Sequence, residues 1–513
     1  MSAPAGSGWA RFQRVAAARE GAPAFIEEGR ETSFAALRGL AFGWAEQAGS
    51  TIQPGERVVI RSANSVAMAA AILGAWARGG VPALLGSQTP SRHLAHAAAL
   101  TDAVLVVTEP AMAEAASRAT GRPVVVLEEM RGHGGAAADP GEAGTPASIV
   151  FTSGSTGPPK GVVQTHAGLQ AGCDAVAASL DIGAEDRIVC GVPWSFDYGW
   201  GQLLSTFFLG VPQVLPAAPD PLALCAAISR HRPSVLAATP SVLAALTHGV
   251  SGIERADLSS LRMLTSTGSR IAPAVWRETL GWFGHAAISL NYGLTETYRT
   301  ASLDPGLARA HPDSVGRAIP GVSIAILDEE GRPAPAGAIG EVVHRGVGVF
   351  QGYWGDPAAT AEVRRPDPLW RGAGGACPPA VFTGDLGFVD AGGLLRLAGR
   401  RDRQIKSMGV RVSPEEIEAI LLQSGLAREA AVVARPHEAI GDMVVAVVVP
   451  DGAQADPVAA MKRMARREMS PFMQPRHYEL VDALPRTATG KVDYPALRRR
   501  CAAAPVLAGE GVG

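Results

Sequence analysis

Short hydrophobic runs alternate with Ala-rich stretches of helical character along the first part of the chain. Residues 57–61 predict a strand, residues 65–78 predict an Ala-rich helix, and residues 103–108 and 123–128 predict two further strands. Strands that alternate with helices are typical of parallel α/β layers. A connector rich in Gly, Ala and Pro follows at 132–146 and shows no periodicity.

The same pattern resumes after the connector and then changes. Short apolar runs predict buried strands at 147–152, 187–192, 234–238 and 261–265. From residue 322 onward, two apolar segments flank an acidic turn, which favours antiparallel β-structure. These two segments are residues 322–327 and 340–345.

The end of the chain predicts a separate small α+β module. Ser413 is a typical N-cap, Pro414 suits the first helical position, and Glu416 completes a capping box. Gly425 is placed to end this helix. Two strands and a helix are then predicted at 430–434, 444–449 and 457–469.

The composition limits the class of protein. A chain of 513 residues is too long for one hydrophobic core, so we expect at least two domains. A net charge of -2 gives no reason to expect nucleic acid or an anionic membrane as a partner. The start of the chain has no signal-peptide pattern, and its most apolar run, 443–450, is too short to span a bilayer. Five cysteines without a C-x-x-C pair fit a reducing compartment, so we expect a cytoplasmic protein without membrane insertion.

One loop after a predicted strand carries the chemistry of phosphate binding. Glycines let backbone N–H groups approach an anion, hydroxyls add donors, and a lysine adds positive charge. The loop lacks the Gly-Lys-Ser/Thr ending of a Walker A motif, and the alternative is a plain surface loop. Its candidate nucleotide-binding residues are Thr152, Ser153, Gly154, Ser155, Thr156, Gly157 and Lys160.

This loop resembles the signature loop of the adenylate-forming superfamily, which includes acyl-CoA synthetases, nonribosomal-peptide adenylation domains and luciferases. Four further segments resemble motifs of that superfamily and occur in its order. They are NYGLTET at 291–297, TGDL at 383–386, GRRDRQIK at 399–406 and PRTATGKVD at 485–493. The resemblance therefore extends over nearly the whole chain.

The resemblance implies a binding site for ATP and Mg²⁺. It assigns Asn291, Tyr292 and Gly293 to the nucleotide, with the Tyr292 ring against adenine, although a core tyrosine is the alternative for Tyr292. Thr295 would contact the α-phosphate, and Glu296 would hold Mg²⁺, a cation that prefers oxygen ligands. Asp385, with the help of Arg400, would bind the ribose hydroxyls.

Lys491 is the candidate catalytic residue. Attack of a carboxylate on the α-phosphate brings two anions together, and an ammonium that touches both can orient them and stabilise the developing charge. Lys491 lies in a loop rich in Gly and Thr rather than in a run of charges, and a solvated surface lysine is the alternative. The resemblance also implies a hinge at Asp402 and a thiol channel near Lys406 and Gly409, where a turn glycine is the alternative.

The acid-binding pocket is expected around Asp197, Tyr198, Thr267 and Arg299. Many acyl-CoA synthetases carry an aromatic–His pair where this chain has Phe196-Asp197, and in amino-acid adenylation domains such an aspartate binds the α-ammonium. Asp197 could instead cap the following helix. Arg299 would suit a second carboxylate or another polar tail, and a structural ion pair is its alternative.

These observations predict an α/β enzyme with two domains. Residues 1–399 would form layered α/β sheets with a small β-barrel-like part, and residues 402–513 would form a mobile α+β lid. The expected reaction converts an acid and MgATP to an acyl-adenylate and pyrophosphate, and then passes the acyl group to coenzyme A or to a carrier-protein phosphopantetheine. The rivals are an amino-acid–carrier-protein ligase, an adenylating oxygenase of the luciferase type, and a nucleotide-binding protein without catalysis.

Overall fold

The computed structural model describes residues 6–127, 141–152, 159–372, 375–407, 410–437, 441–452, 456–487 and 490–503. The chain forms two compact units. Unit 1 comprises residues 1–268, 281–325 and 343–382, and unit 2 comprises residues 269–280, 326–342 and 383–513. Among the described residues, no helix combines the length and the apolar character that crossing a bilayer requires.

The strands and helices of the first part of the chain belong to unit 1. Its strands are β1 Pro23–Glu27, β2 Arg30–Ser33, β3 Arg57–Ser62, β4 Val81–Gly86, β5 Leu105–Thr108, β6 Val124–Val126, β7 Pro146–Thr152, β8 Lys160–Thr165, β9 Ile188–Cys190, β10 Gln213–Val214, β11 Val235–Ala238, β12 Met263–Ser266, β13 Ala287–Tyr292, β14 Ala301–Ser302 and β15 Ser314–Ala318. Its helices are α1 Gly8–Ala18, α2 Phe34–Ala48, α3 Val66–Ala77, α4 Ser91–Leu100, α5 Ala113–Thr120, α6 His166–Leu180, α7 Asp197–Leu209, α8 Pro221–His231 and α9 Pro240–His248.

The rest of the chain contributes segments to both units, and its last part belongs to unit 2. The further strands are β16 Val322–Leu327, β17 Gly340–Gly346, β18 Gly352–Tyr353, β19 Arg364–Pro366, β20 Pro379–Val389, β21 Leu395–Arg400, β22 Ile405–Ser407, β23 Val410–Val412, β24 Ala427–His437, β25 Gly441–Pro450 and β26 His477–Leu480. The further helices are α10 Pro273–Phe283, α11 Pro357–Val363, α12 Pro414–Gln423, α13 Pro457–Glu468 and α14 Tyr494–Ala503.

Unit 1 contains two sheets that are mainly parallel, as the alternating pattern predicts. In one, β13, β12, β11, β9, β10 and β1 are neighbours in that order and all run parallel. In the other, β7, β4, β3, β5 and β6 are parallel neighbours, and β8 pairs antiparallel with β7. Ile188 lies beside Val235 in the first sheet, and Ile60 lies beside Leu84 in the second. Apolar residues are therefore paired on neighbouring strands within each sheet.

Helices α2, α3 and α7 fill the core of unit 1. All residues of α3 except Ala67 are buried, which is expected of a helix that is apolar on every side. Trp76 of α3 stacks on Phe208 of α7, with ring centroids 6.0 Å apart. The indole N–H of Trp76 donates to the carbonyl of Ala147 at 2.7 Å, so the buried ring leaves no unpaired donor.

The C-terminal part of unit 2 is an α+β module, as predicted. Strands β23, β22, β25 and β24 form a sheet in that order, and β26 pairs with β25. Alternate residues of β25 face opposite sides: Val444, Ala446 and Val448 belong to the core that includes α12 and α13, and Val445 and Val447 belong to the core that includes α14. Helix α12 starts where the sequence predicts, because the Ser413 hydroxyl accepts from the Glu416 N–H at 3.4 Å.

Candidate active site

The predicted phosphate loop connects two paired strands. Thr152 ends β7, Lys160 begins β8, and the two residues are cross-strand partners. The loop therefore leaves and re-enters the same sheet, with Thr152 and Lys160 side by side at its ends. Five of the predicted residues lie outside the described residues, namely Ser153, Gly154, Ser155, Thr156 and Gly157.

Three side chains connect the end of this loop to the second motif. The ammonium nitrogen of Lys160 lies 5.0 Å from the centroid of the Tyr353 ring, a cation–π distance. The Tyr353 hydroxyl donates to the Glu296 carboxylate at 2.6 Å. The Gln164 amide also donates to the carbonyl of Thr295 at 3.2 Å. The structure thus brings Lys160 and Glu296 to one side chain, that of Tyr353, and their shared role in a nucleotide site stays a prediction.

Asn291 uses its side chain to connect neighbouring strands. Its amide donates to the Thr265 hydroxyl at 2.7 Å and to the Ser266 carbonyl at 3.1 Å, and it accepts from Ser302 at 2.8 Å. The hydroxyl of Thr267, a predicted pocket residue, donates to the Asn291 carbonyl at 2.9 Å. The side chain of Asn291 therefore holds the strand ends that carry the site.

Tyr292 and Gly293 lie where β13 ends and a tight loop begins. Tyr292 is 6% exposed, and its carbonyl accepts from the Thr300 N–H at 2.8 Å. A Cβ on Gly293 would lie 2.9 Å from the Cα of Arg299, which is closer than side-chain carbons pack. Glycine is therefore required for the loop to fold back on itself.

A buried hydrogen-bond chain holds the far end of this loop. The Thr300 hydroxyl donates to the Thr297 hydroxyl at 3.1 Å and is 3.1 Å from the Nδ1 of His344. The Nε2 of His344 is 2.7 Å from the carbonyl of Val347. Burial lowers the pKa of His344 to about 4, so this imidazole is neutral near pH 7.

A small cavity lies between α6 and α7. The space within it that admits the centre of a water molecule is about 20 Å³, enough for roughly one water. Asp197, Thr265, Tyr298 and Arg299 are among the residues that line it. Two of the four predicted pocket residues, Asp197 and Arg299, therefore meet at one cavity.

Asp197 is the first residue of α7 and does not cap it. Phe196 occupies the cap position, and the start of the helix has no side-chain cap. The alternative in which Asp197 is the helix cap is thus excluded. A carboxylate in the first turn is favoured by the positive end of the helix dipole. Next to it, the buried Tyr198 donates its hydroxyl to the carbonyl of Thr265 at 2.6 Å, which fixes its ring.

Arg299 is 6% exposed and lines the cavity. Its guanidinium carbon lies 5.5 Å from the centroid of the Tyr198 ring, and its Nη1 has no hydrogen-bond partner in the described part of the chain. No carboxylate among the described residues forms an ion pair with it, so the alternative of a structural ion pair is not supported within the described chain. Burial lowers the pKa of Arg299, while the charge on Asp197 acts in the opposite direction.

The residue before Arg299 has an unusual backbone conformation. Tyr298 has φ of +58°, and the Arg299 N–H donates to the carbonyl of Thr297 at 2.6 Å, which makes a three-residue turn. A Cβ on Gly172 would lie 2.7 Å from the Tyr298 ring, and one on Gly201 would lie 3.3 Å from its hydroxyl. Two glycines on α6 and α7 therefore make room for this ring.

In unit 2, Arg400 joins the predicted ribose residue to the predicted hinge. Asp385 and Arg400 are cross-strand partners on β20 and β21, and Arg400 Nη1 donates to Asp385 at 3.0 Å. The Nε of Arg400 donates to Asp402 at 3.1 Å. Burial opposes the charge on Arg400, but the two carboxylates raise its pKa above the ordinary value, so it stays charged.

The remaining predicted residues of unit 2 lie in exposed positions or outside the described chain. Lys406 is exposed on β22, and Gly409 lies outside the described residues. Lys491 is exposed in a loop that closes on itself, because the Thr487 N–H donates to the Lys491 carbonyl at 2.8 Å. This contact holds the backbone at Lys491 and leaves its side chain on the surface.

Comparison with protein families decides the relationship of the chain. The family model described as "AMP-binding enzyme" matches residues 12–354, and the model described as "AMP-binding enzyme C-terminal domain" matches residues 416–491. The chain belongs to the AMP-binding enzyme family. This membership confirms the resemblance to the adenylate-forming superfamily.

Comparison with individual relatives supports the same family assignment for this AMP-binding enzyme. It is 30% identical over 464 residues to feruloyl-CoA synthase from an Amycolatopsis species, which covers 88% of this chain and 89% of that one. The amide bond synthetase McbA from Marinactinospora thermotolerans is 30% identical, with a TM-score of 0.84 over 96% of this chain and 100% of that one. ATP-bound MatB from Rhodopseudomonas palustris is 26% identical, with a TM-score of 0.84 over 97% of this chain and 99% of that one.

Other curated relatives of the AMP-binding family are longer than this chain. It spans 4%, 26%, 56% and 61% of the length of four relatives to which it is 31–35% identical. The part shared with these relatives is about 69% of this chain.

The motifs of this AMP-binding enzyme did not reveal every residue that shapes the site. Tyr353 and Gln164 connect the end of the phosphate loop to Glu296 and Thr295, and His344 contacts Thr300, the residue after Arg299. In unit 2, Glu341 accepts from the Gly384 N–H at 3.1 Å and pairs with Arg401 at 2.8 Å. No sequence motif points to these four residues, because each acts through a contact distant along the chain.

Proposed function

We propose that the chain is an AMP-forming acid–thiol ligase. It activates a carboxylic acid with MgATP to an acyl-adenylate and pyrophosphate, and then transfers the acyl group to a thiol, with coenzyme A as the first candidate. Membership of the AMP-binding family and the match to feruloyl-CoA synthase over most of both chains support this reaction.

The convergence of Lys160, Tyr353 and Glu296 at the end of the phosphate loop carries the proposal. A loop between two paired strands, a lysine at its end and a nearby carboxylate are groups that suit the binding of MgATP. Glu296 would supply a carboxylate oxygen to Mg²⁺, and ATP phosphates would supply further ligands. The hard-oxygen chemistry of this residue fits that cation.

The other proposed roles follow from the position of each residue. Thr295 would contact the α-phosphate, and Tyr292 would lie against adenine. In unit 2, Asp385 and Arg400 would bind the ribose, and Lys491, whose side chain is exposed, would be available to a carboxylate and a phosphate together. Asp402, Lys406 and Gly409 would act in the change from adenylation to thioester formation.

An amino-acid–carrier-protein ligase is the second candidate, and the position of Asp197 favours it. Its carboxylate lines the cavity and is not used as a helix cap, so it is available to an α-ammonium. The acyl group would then pass to a phosphopantetheine thiol on a carrier protein. A nucleotide-binding protein without catalysis is disfavoured because the chain retains Lys491, Glu296 and Thr295.

ATP–pyrophosphate exchange tests the proposal and identifies the acid. Purified protein is assayed with amino acids, aryl acids, dicarboxylates and fatty acids, and exchange with one class supports the ligase. ATP binding without exchange for any acid would instead favour the non-catalytic reading. Acids that support exchange are then tested with coenzyme A, a phosphopantetheine-bearing carrier protein and, because of the match to an amide bond synthetase, simple amines.

A further inference from the structure

We propose that Arg299 binds a second anionic group of the acid substrate, so that the preferred substrates are dicarboxylic acids or acids with another oxyanion at the far end. The inference rests on the proposed function, because it concerns the acid that is activated. It adds the class of acid, which the family motifs do not specify.

The position of Arg299 supports this role. It lines the cavity between α6 and α7, and only 6% of it is exposed. Among the described residues that line the cavity, Arg299 is the one cation and Asp197 is the one anion. An anion that reaches the end of this cavity would therefore meet a guanidinium that is already shielded from water.

The hydrogen-bonding state of Arg299 points to a missing partner. Its Nη1 is buried and has no acceptor among the residues that the structure describes, although a guanidinium presents donors in a planar fork that matches a carboxylate. A buried cation without a partner is costly in a folded protein, and such groups usually face a ligand or a counter-ion. No described carboxylate lies within ion-pair distance of Arg299, although the charge on Asp197 acts on it, so Nη1 is open to an acceptor supplied by a ligand.

The contacts around Arg299 fix its direction. The guanidinium lies over the Tyr198 ring, and that ring is held by the bond from its hydroxyl to Thr265. The strained turn at Tyr298 sets the backbone direction just before Arg299. A backbone held in a sparsely populated region commonly marks a functional position. These contacts make Arg299 a pre-oriented binding group rather than a mobile surface charge.

The dimensions of the cavity select a small group. Space for roughly one water admits an oxygen atom of a carboxylate or a similar oxyanion at this end but not an alkyl chain or an aromatic ring. Two uncharged polar side chains at the wall already have backbone partners: Gln202 donates to Tyr198 at 3.3 Å, and Ser205 donates to Gly201 at 3.1 Å. Arg299 and Asp197 are the charged groups at this wall, and an anionic substrate end would pair with Arg299.

Matched substrate pairs test the proposal. Succinate, glutarate, phthalate and isophthalate are each compared with the half-amide, in which a carboxamide replaces one carboxylate at nearly the same size. In ATP–pyrophosphate exchange, the wild type is expected to use at least one diacid with a kcat/KM about a hundredfold above that of its half-amide, because the amide leaves the arginine unpaired.

Substitution of Arg299 provides the second arm. Arg299→Leu is expected to lower kcat/KM for that diacid about a hundredfold, while kcat/KM for its half-amide should change less than about threefold. Arg299→Lys should retain part of the preference for the diacid over the half-amide. Arg14→Leu, at an exposed position on α1, is the control and should change neither value.

The outcomes separate this inference from the proposed function. Equal use of every diacid and its half-amide by the wild type would overturn the role of Arg299, as would a loss of both activities in the same proportion in the Leu and Lys variants. Because the wild-type comparison needs no variant, misfolding of Arg299→Leu cannot obscure the result. If no acid of any class supports exchange, the ligase proposal itself fails.

Discussion

Lys491 is an exposed side chain in a loop whose backbone is held by the bond from Thr487. Lys491→Ala should lower ATP–pyrophosphate exchange by orders of magnitude, because the charge that brings carboxylate and phosphate together is lost. ATP binding should change little, since most of the proposed nucleotide residues lie in unit 1. Thioester formation from pre-made acyl-adenylate should persist. Exchange rates and equilibrium ATP binding are the measurements.

Lys462→Ala is the matched control, because Lys462 is also exposed but lies on α13, outside the motif. It should leave exchange unchanged. If Lys491→Ala retains exchange within about threefold of the wild type, a difference below ~1 kcal/mol in the barrier, the catalytic role is wrong.

Asp197 allows a choice between the two classes of ligase. If the substrate is an α-amino acid, Asp197→Ala leaves an ammonium unpaired in a partly buried pocket, and kcat/KM should fall by roughly 10²–10³-fold. If the substrate is a simple carboxylic acid, the loss should be modest. The best acid and its des-amino analogue are compared in the exchange assay. Equal use of both by the wild type would rule out an ammonium-binding role.

Motifs indicated which distant residues lie near one another, while the roles of those residues stay predictions. Glu296 and Lys160 are separated along the chain, yet their motifs predicted one site, and the structure brings both to Tyr353. The sequence could not predict Tyr353 itself, because its role depends on the pairing of β18 with β8. It also left the role of Arg299 open, since its burial and the lack of a hydrogen-bond partner for its Nη1 among the described residues are visible only in three dimensions.

At the scale of elements, the loop from β13 to β14 depends on a histidine in β17. His344 is fully buried, and its folded-state pKa of about 4 lies below the ordinary value of about 6.5. Between these values the unfolded chain takes up a proton that the folded chain excludes, so stability is present above pH 6.5 and is lost as the pH falls. The loss between pH 7 and pH 5 is about 2 kcal/mol.

His344→Gln should remove this dependence, so the difference in denaturation midpoint between pH 7 and pH 5 should be smaller in the variant than in the wild type. His248→Gln, at the exposed end of α9, is the control and should leave the difference unchanged. A variant of His344 with the wild-type pH dependence would contradict the assigned protonation state.

Elements with a simple pattern were predicted with nearly correct bounds. The helix predicted at 65–78 is α3 Val66–Ala77, and the strand predicted at 57–61 is β3 Arg57–Ser62. Strand β4, Val81–Gly86, was not predicted, because its Pro82 and terminal glycine weaken the strand signal although the strand is central in its sheet. Strand β24 is longer than predicted because its pairing with β25 continues past the apolar residues.

At the scale of the whole molecule, the sequence predicted two domains divided between residues 399 and 402. The compact units of the structure are not continuous in sequence: residues 269–280 and 326–342 join unit 2 together with 383–513. A linear pattern of motifs cannot reveal such a division, because it arises from contacts between distant segments. The functional boundary at the proposed hinge, Asp402, stays a prediction.

Gly409 tests whether the two half-reactions use different arrangements of the chain. Gly409→Leu should leave ATP–pyrophosphate exchange near the wild-type rate and block thioester formation, because a bulky side chain would obstruct the proposed thiol channel. The two half-reactions are measured on the same preparation, so each is a control for the other. Equal loss of both would mean that Gly409 is needed for folding instead.

Tyr298 bears on the order in which this enzyme's descendants could acquire new substrates. Tyr298→Gly would relieve the left-handed backbone and vacate space between α6 and α7, so one mutation could widen the range of accepted acids. The reverse order is blocked, because Gly172→Ala would place a methyl group 2.7 Å from the tyrosine ring. The two sites are therefore epistatic: position 172 becomes free to diversify only in a lineage that has already lost the ring.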